Sequence, residues 1–503
     1  MTPDENIAPP DLTLDGVLAH WALARPDRTV LEYDRAYDSA PPSMTWARLE
    51  GHVRAAASRL EVDHGEVVGV VCDHSPEFHV LVNALWRRGA ATLLISRTWG
   101  AAVVSDLLRL LRCRRVYADQ SPEAWADIPG RWERLPALAS SDAPDRRSAG
   151  NPDDIAIVAT TSGTTDNPKC VPITHRQIRS AYRTCLGIHD LTSVRRAASI
   201  FPLNGIGVMG VCFLLPREVG ACTRVYRPFS MANIRDTWER LLHDDVGFVY
   251  LVPPVVRLLN HLPPPGPRAD RILCFCASAP VQEHELRALE AACPVRVFNS
   301  YGLTEMTFAV FFGCREPDGL ASESIGSPIG IEARLVDADG HDITGPGVGE
   351  ILLKGPMLTS GYMHNPAATA EAWRGGWLVT GDLGERDGAG RYFIRGRLRD
   401  SVVRGGVLLY LHELEHYLRR CPGVVDACAF KGRCLPSGDE LCAVVQVSGP
   451  TERAALMSWA RDNIGRDKVP NALFVWERDL PRNSNGKVMR RTLAEMYQNG
   501  ELR

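Results

Sequence analysis

Apolar residues recur along the chain with two alternating periods. Residues 12–26 ("LTLDGVLAHWALARP") and 45–60 ("TWARLEGHVRAAASRL") carry them at the three-and-four spacing of a helix with one buried face. "EVVGVVCD" (66–73) is a β-branched run that predicts a buried strand. "FHVLVNALWRRGAATLLIS" then predicts a helix, a stop at Gly89 and another strand. Residues 139–154 are polar and breaker-rich and predict a surface linker, after which "IAIVATTSG" reads as a strand running into a loop. Alternation resumes over about 180–312, interrupted by a stiff turn at "HLPPPGPRAD" (261–270). This order predicts an α/β fold with two doubly wound subdomains built on parallel sheets.

The texture changes twice more. Short glycine-punctuated strands ("ARLVDADGHDI", "GEILLKG", "GWLVTGD", "GRYFIRG") predict a β-rich subdomain over about 325–395. After Asp400, helices at 411–420 and 451–464 and strands "ACAFKG", "LCAVVQV" and "NALFVWE" predict a small α+β unit. The expected organisation is an N-terminal domain of residues 1–398 and a mobile C-terminal domain of residues 399–503.

Composition narrows the class. The 503 residues are 45% hydrophobic and 23% charged, ordinary for a soluble globular chain. A net charge of -3 gives no electrostatic reason to expect nucleic acid. No apolar run is long enough to span a bilayer, and "MTPDENIAPPD" lacks the basic and apolar regions of a secretory signal. Fourteen cysteines stand without disulfide-like or zinc-like spacing. Cys274 and Cys276 alternate as strand residues do. Reduced, buried thiols and a cytoplasmic protein are the expectation. Lysine occurs only at 169, 354, 431, 468 and 487, so most basic residues are arginine.

The chemistry begins at "TTSGTTDNPKC" (160–170), where an apolar strand enters a Ser/Thr/Gly-rich segment ending in a lysine. Small hydroxyl residues and free backbone N–H groups can wrap phosphate oxygens, and an ammonium adds a point charge. The spacing is not that of a Walker loop. The stretch resembles the TSGTTGxPKG signature of the adenylate-forming superfamily: acyl-CoA synthetases, peptide-synthetase adenylation domains and luciferases. Four further stretches resemble that family's motifs in its order: "NSYGLTE" (299–305), "TGDLG" (380–384), "GRLRDSVVRGG" (396–406) and "PRNSNGKVMRR" (481–491). The resemblance covers nearly the whole chain.

The resemblance implies ATP-dependent activation of a carboxylic acid to acyl-AMP, with ATP and Mg2+ required. By it, Thr161, Ser162, Gly163, Thr164, Thr165 and Lys169 would hold the β- and γ-phosphates. Asn299 would bond the adenine edge, and Tyr301, followed by Gly302, would pack on its face. Thr304 would contact the α-phosphate and Glu305 would coordinate Mg2+. Asp382 would accept from the ribose hydroxyls, with Arg397 supporting the same sugar. Lys487 would bridge carboxylate and α-phosphate, and Asp400 would be the hinge.

Departures from the family pattern carry their own expectations. Asp166 and Cys170 replace glycines in the phosphate loop. Asp tolerates positive φ better than most residues, and Cys170 is small enough to pack in glycine's place. Gly205, beside Asn204, stands where many relatives carry a histidine, and no aspartate is seen in this region to pair an α-ammonium. A non-amino carboxylic acid is therefore expected, in a pocket including Asn204, Gly205, Ala277 and Ser278. Leu408 and Leu411 replace an Asn and a Pro near the thiol tunnel of CoA ligases. No carrier segment follows Lys487, so a separate acceptor is expected: CoA first, a free-standing carrier protein next, an amine third. A non-catalytic adenylate-binding relative is a further alternative. His412-Glu413-Leu414-Glu415-His416 also matches H-E-x-x-H, a zinc-hydrolase pattern. No histidine follows residue 416, so a carboxylate such as Glu440 would have to complete that site.

Overall fold

The computed structural model describes all residues except 1–6, 35–42, 98, 120–124, 126–127, 129, 140–149, 162–168, 188–190, 203–205, 231, 263–271, 280, 308, 314–318, 320, 405–406, 436–437, 465–468, 483–487 and 503. It divides into two compact units. The first holds residues up to Glu332 together with Lys354–Leu378; the second holds Ala333–Leu353 and Val379–Arg503.

Two sheets organise the first unit. The six-stranded sheet has the order Arg131–Arg134, Arg115–Ala118, Val67–Val71, Ala91–Leu94, Ile155–Thr160, Cys170–Thr174. Its first five strands are parallel, and the last returns antiparallel to Ile155–Thr160. Val67–Val71 is buried at every position. That is what a central parallel strand covered on both faces requires, and it explains the unbroken apolar run. Its companion helix Pro76–Arg87 opens on Ser75, whose hydroxyl accepts from the Phe78 N–H, with proline in the first turn. The chain leaves that helix through Gly89 at φ 75°, the predicted stop.

The second sheet has nine strands. Val295–Gly302, Ile272–Cys276, Phe248–Leu251, Arg196–Ser199, Cys222–Val225 and Thr29–Tyr33 form its parallel core. Its outer strands pair antiparallel. The carboxyl ends of parallel strands are where open α/β sheets place their chemistry. "NSYGLTE" and "CASAPV" both leave this sheet at such ends.

The strands Gly347–Lys354, Trp377–Arg386 and Tyr392–Arg397 lie in the expected β-rich sheet. The C-terminal sheet pairs Ser401–Arg404, Val407–Tyr410, Val424–Leu435, Gly438–Val447 and Ala472–Trp476. Over 427–430 and 441–444 the strands Val424–Leu435 and Gly438–Val447 alternate between two faces, as the two-residue strand period demands. Ala427, Ala429, Leu441 and Ala443 pack with Leu414, Leu418 and Leu456 of two helices. Cys428, Phe430, Cys442 and Val444 face the opposite way, toward Leu493 of the helix Arg490–Gln498. The described cysteines are free and buried. Among the described residues no helix is long and apolar enough to cross a membrane.

Candidate active site

In the first unit, the paired strands Ile155–Thr160 and Cys170–Thr174 flank the Ser/Thr/Gly-rich segment. Thr160 lies opposite Cys170, and the Thr161 N–H donates to the Lys169 carbonyl at 3.0 Å, closing the mouth of the loop. Ser162, Gly163, Thr164, Thr165 and Asp166 lie outside the described residues. Cys170 is 1% exposed and packs with Leu93 and Val158, so its thiol replaces glycine by filling core; burial pushes its pKa up to about 11.

The strand Val295–Gly302 delivers the next group. Asn299 is buried, and its side-chain amide donates to the Glu323 carbonyl at 2.6 Å. Gly313 lies against it; a β-carbon there would sit 2.6 Å from the Asn299 carbonyl oxygen, so glycine is required. The Tyr301 ring meets Phe311 edge-on at 5.7 Å. Past Gly302 the chain turns through the short 3-10 helix Thr304–Met306, which presents Glu305 half-buried.

A segment not singled out from the sequence ties these two elements together. The Thr359 N–H donates to the Glu305 carbonyl at 2.8 Å, and the Thr359 hydroxyl to the Pro172 carbonyl at 2.6 Å. The Tyr362 hydroxyl donates to Glu305 Oε1 at 2.7 Å. Lys169 Nζ stands 4.7 Å from the centroid of the same ring. Lys169 and Glu305, 136 positions apart in sequence, thus converge on one tyrosine. The available signal was "SGYMHNPAAT": Asn365 caps a helix with proline in its first turn, and Gly361 holds φ 145° just before the tyrosine.

At the neighbouring strand end, Ala277 is buried and Ser278 holds φ 80°, a conformation a non-glycine residue adopts only under constraint. The Ser278 and Tyr250 hydroxyls share a 2.5 Å hydrogen bond. Tyr250 meets Phe201 edge-on at 5.8 Å. The Phe201 carbonyl in turn accepts from Nε2 of His74 at 2.6 Å. Burial lowers the His74 pKa to about 4, so the ring is neutral at pH 7 and its Nε2 carries the donated proton. Asn204 and Gly205 lie outside the described residues.

In the second unit, Asp382 and Arg397 face each other across paired strands, and Arg397 Nε lies 2.9 Å from Asp382 Oδ1. Asp382 is 2% exposed. Gly381, at φ 70°, kinks the strand so that the Asp382 N–H reaches the Thr380 hydroxyl. Asp400 ends the short 3-10 helix Leu398–Asp400, and its carboxylate pairs with Arg490. Lys487 lies outside the described residues. The bases of its loop are fixed: Arg482 and Val488 bridge, and the Met489 N–H donates to the Pro481 carbonyl at 2.8 Å.

His412 and His416 share the helix Leu411–Leu418. Among the described residues, the one group of three ligand atoms close enough to hold a metal is the exposed Asp337, Asp339 and His341, away from both histidines in sequence. Glu415 is engaged by the Ala429 N–H at 2.9 Å and by Arg490 at 2.7 Å.

Comparison with known proteins identifies the family. Residues 18–363 match the model of the AMP-binding enzyme family, and residues 413–487 match that of the AMP-binding enzyme C-terminal domain. A sulfoacetate–CoA ligase of Cupriavidus necator is 32% identical over 71% of this chain and 70% of its own. An oxalate–CoA ligase of Arabidopsis thaliana is 26% identical over 96% of this chain and 98% of its own. The O-succinylbenzoate coenzyme A synthetase of Bacillus subtilis, solved with ATP and magnesium, superposes with a TM-score of 0.83 at 23% identity, covering 95% and 98% of the two chains. At that identity the likeness is one of fold.

Proposed function

Because the chain belongs to the family of AMP-binding enzymes, with both the large and the C-terminal domain, we propose that it is an AMP-forming ligase that activates a non-amino carboxylic acid and passes the acyl group to CoA. A carboxylate oxygen attacks the α-phosphorus of ATP, the bond to pyrophosphate breaks, and acyl-AMP forms. The CoA thiol then attacks the acyl carbon and AMP leaves. Both partners of the first step are anionic, so the site has to neutralise charge and hold the reactants in line.

The observation that carries this reading is the convergence of Lys169 and Glu305 on Tyr362, which places a cation and a carboxylate beside the mouth of a Ser/Thr/Gly-rich loop. Lys169 and the loop residues Thr161 to Thr165 hold the β- and γ-phosphates. Asn299, Tyr301 and Gly302 receive adenine, and Thr304 meets the α-phosphate. Asp382 accepts from the ribose hydroxyls, with Arg397 fixing its carboxylate. Glu305 fits Mg2+: it is a hard oxygen donor, half-buried, with one oxygen already oriented by a phenol. When bound there, Mg2+ supplies charge neutralisation along the triphosphate. Lys487 is brought in by rotation of residues 399–503 about Asp400 and leaves for the second half-reaction. Ser278, constrained at the strand end, lines the acid pocket with Asn204, Gly205 and Ala277.

Pyrophosphate release across a panel of acids, followed by acceptor tests on the best acid with CoA, a carrier protein and an amine, tests the whole reading. No release with any acid would leave a protein that binds adenylates without making them.

Three substitutions probe the departures from the family pattern. Asp166→Gly should lower the KM for ATP and leave acid preference unchanged, because it removes a carboxylate from the phosphate loop alone; steady-state kinetics on two acids checks it. Gly205→His should exclude the bulkiest accepted acids at a cost of about 1–3 kcal/mol from overpacking. Asn204→Ala should hurt only acids bearing a hydrogen-bonding substituent. A uniform loss of kcat/KM for every acid would instead make these residues part of a turn after Pro202.

A further inference from the structure

We infer that Tyr362 is a positioning residue that sets the metal-binding geometry of Glu305 and pre-orients Lys169, so that one side chain couples the two ends of the triphosphate site. The inference rests on the reading of Glu305 and Lys169 given above.

The geometry begins with the backbone. Residues 357–363 form a strap fastened on both sides. On one side the Thr307 hydroxyl donates to the Met357 carbonyl at 2.9 Å and the Thr359 N–H to the Glu305 carbonyl at 2.8 Å. On the other, the Met363 N–H donates to the Cys170 carbonyl at 2.8 Å and Gln177 Nε2 to the Leu358 carbonyl at 2.6 Å. The strap therefore cannot shift against either the Thr304–Met306 turn or the return strand of the phosphate loop without breaking several bonds. Tyr362 rides on it. Its N–H donates to the Thr369 hydroxyl at 2.9 Å, its ring meets Trp373 edge-on at 5.5 Å, and it is 9% exposed. A ring so confined has a fixed hydroxyl direction.

That direction decides what the hydroxyl does. A phenol donating to Oε1 at 2.7 Å fixes the rotation of the Glu305 carboxylate and consumes one lone pair, leaving the other oxygen to face a cation. The ring face does separate work. An ammonium 4.7 Å from the centroid is attracted by the ring quadrupole, which restrains a flexible lysine stem before any phosphate arrives. The two functions reside in different atoms of one residue, so they can be separated.

Four variants of the full chain separate and check them, read by Mn2+ titration with electron paramagnetic resonance in the presence of ATP and by calorimetric ATP binding without metal. Tyr362→Phe keeps the ring and loses the hydroxyl. It should weaken Mn2+ binding about 10–100-fold, the usual effect of removing a partner that orients a metal ligand, with metal-free ATP affinity within about twofold of wild type. Tyr362→Leu loses both parts and should also weaken metal-free ATP binding, by about threefold or more if the ring restrains Lys169. Glu305→Gln is the control for the underlying reading. If Glu305→Gln leaves Mn2+ binding intact, the metal role of Glu305 is wrong. If Glu305→Gln loses Mn2+ and Tyr362→Phe does not, the positioning role is overturned alone. Should Tyr362→Leu fold poorly, the Phe variant still decides the hydroxyl's part, and equal metal-free ATP affinity in Lys169→Met and wild type would overturn the ring's part.

Discussion

Lys487→Ala should lower acyl-AMP formation about 10²–10³-fold while ATP binding stays near wild type, the loss expected when one preorganised donor aimed at developing charge is removed. The acid carboxylate and the α-phosphate repel each other in the ground state. Negative charge concentrates between them as the new bond forms, and an ammonium bridging both gains most at that point. The residues flanking this lysine are pinned by the Arg482–Val488 bridge, and the sequence between them, "NSNG", has turn-forming composition. Pyrophosphate release and calorimetric ATP binding check the two halves of the expectation. CoA thioester formation from synthetic acyl-AMP should fall far less, because the lysine has left by then. Near-normal adenylation by the variant would remove Lys487 from the mechanism.

Legibility followed the range of the interaction. Helices, strands and the change of texture near residue 325 were readable because periodicity is local: the paired strands around Asp382 and the two-faced C-terminal sheet arise from alternation within single segments. The candidate nucleotide residues were assigned through ordered short motifs. Tyr362 was not, because its meaning lies in two contacts with residues 57 and 193 positions away, and a tyrosine in a loop has no pattern of its own. His74 escaped for the same reason; a histidine after a strand gives no hint that its ring holds the Phe201 carbonyl. The strain at Ser278 was equally silent, since only the backbone angle reveals it.

The segment around Asp400 shows the same divide and supports the second large effect. Asp400 is recognisable by motif; its partner Arg490, 90 positions on, is not. Arg490 joins Asp400, Glu415 at 2.7 Å and the Ala429 carbonyl at 2.7 Å, while Arg482, at the other base of the Lys487 loop, is held by Asp426 at 2.5 Å. Both feet of the loop therefore stand on carboxylates of the C-terminal sheet and its helix. Arg490→Met should destabilise this unit by about 3 kcal/mol. Breaking a buried ion pair from one side costs about 3–5 kcal/mol because the remaining charge is left unpaired. The lower end applies here because the Arg490 side chain is 27% exposed and water screens part of the loss, whereas Glu415 is only 8% exposed. Asp400→Asn keeps the Glu415 and Ala429 bonds and should cost under about 1 kcal/mol, since an amide still accepts from Arg490. Denaturant melts of the two variants give the ordering, and half-reaction rates give its meaning. If the contact steadies the hinge, Asp400→Asn should change the ratio of adenylation to thioester formation while barely moving the melt. An unchanged ratio in Asp400→Asn, with Arg490→Met losing both half-reactions in parallel with stability, would confine Arg490 to holding the sheet together.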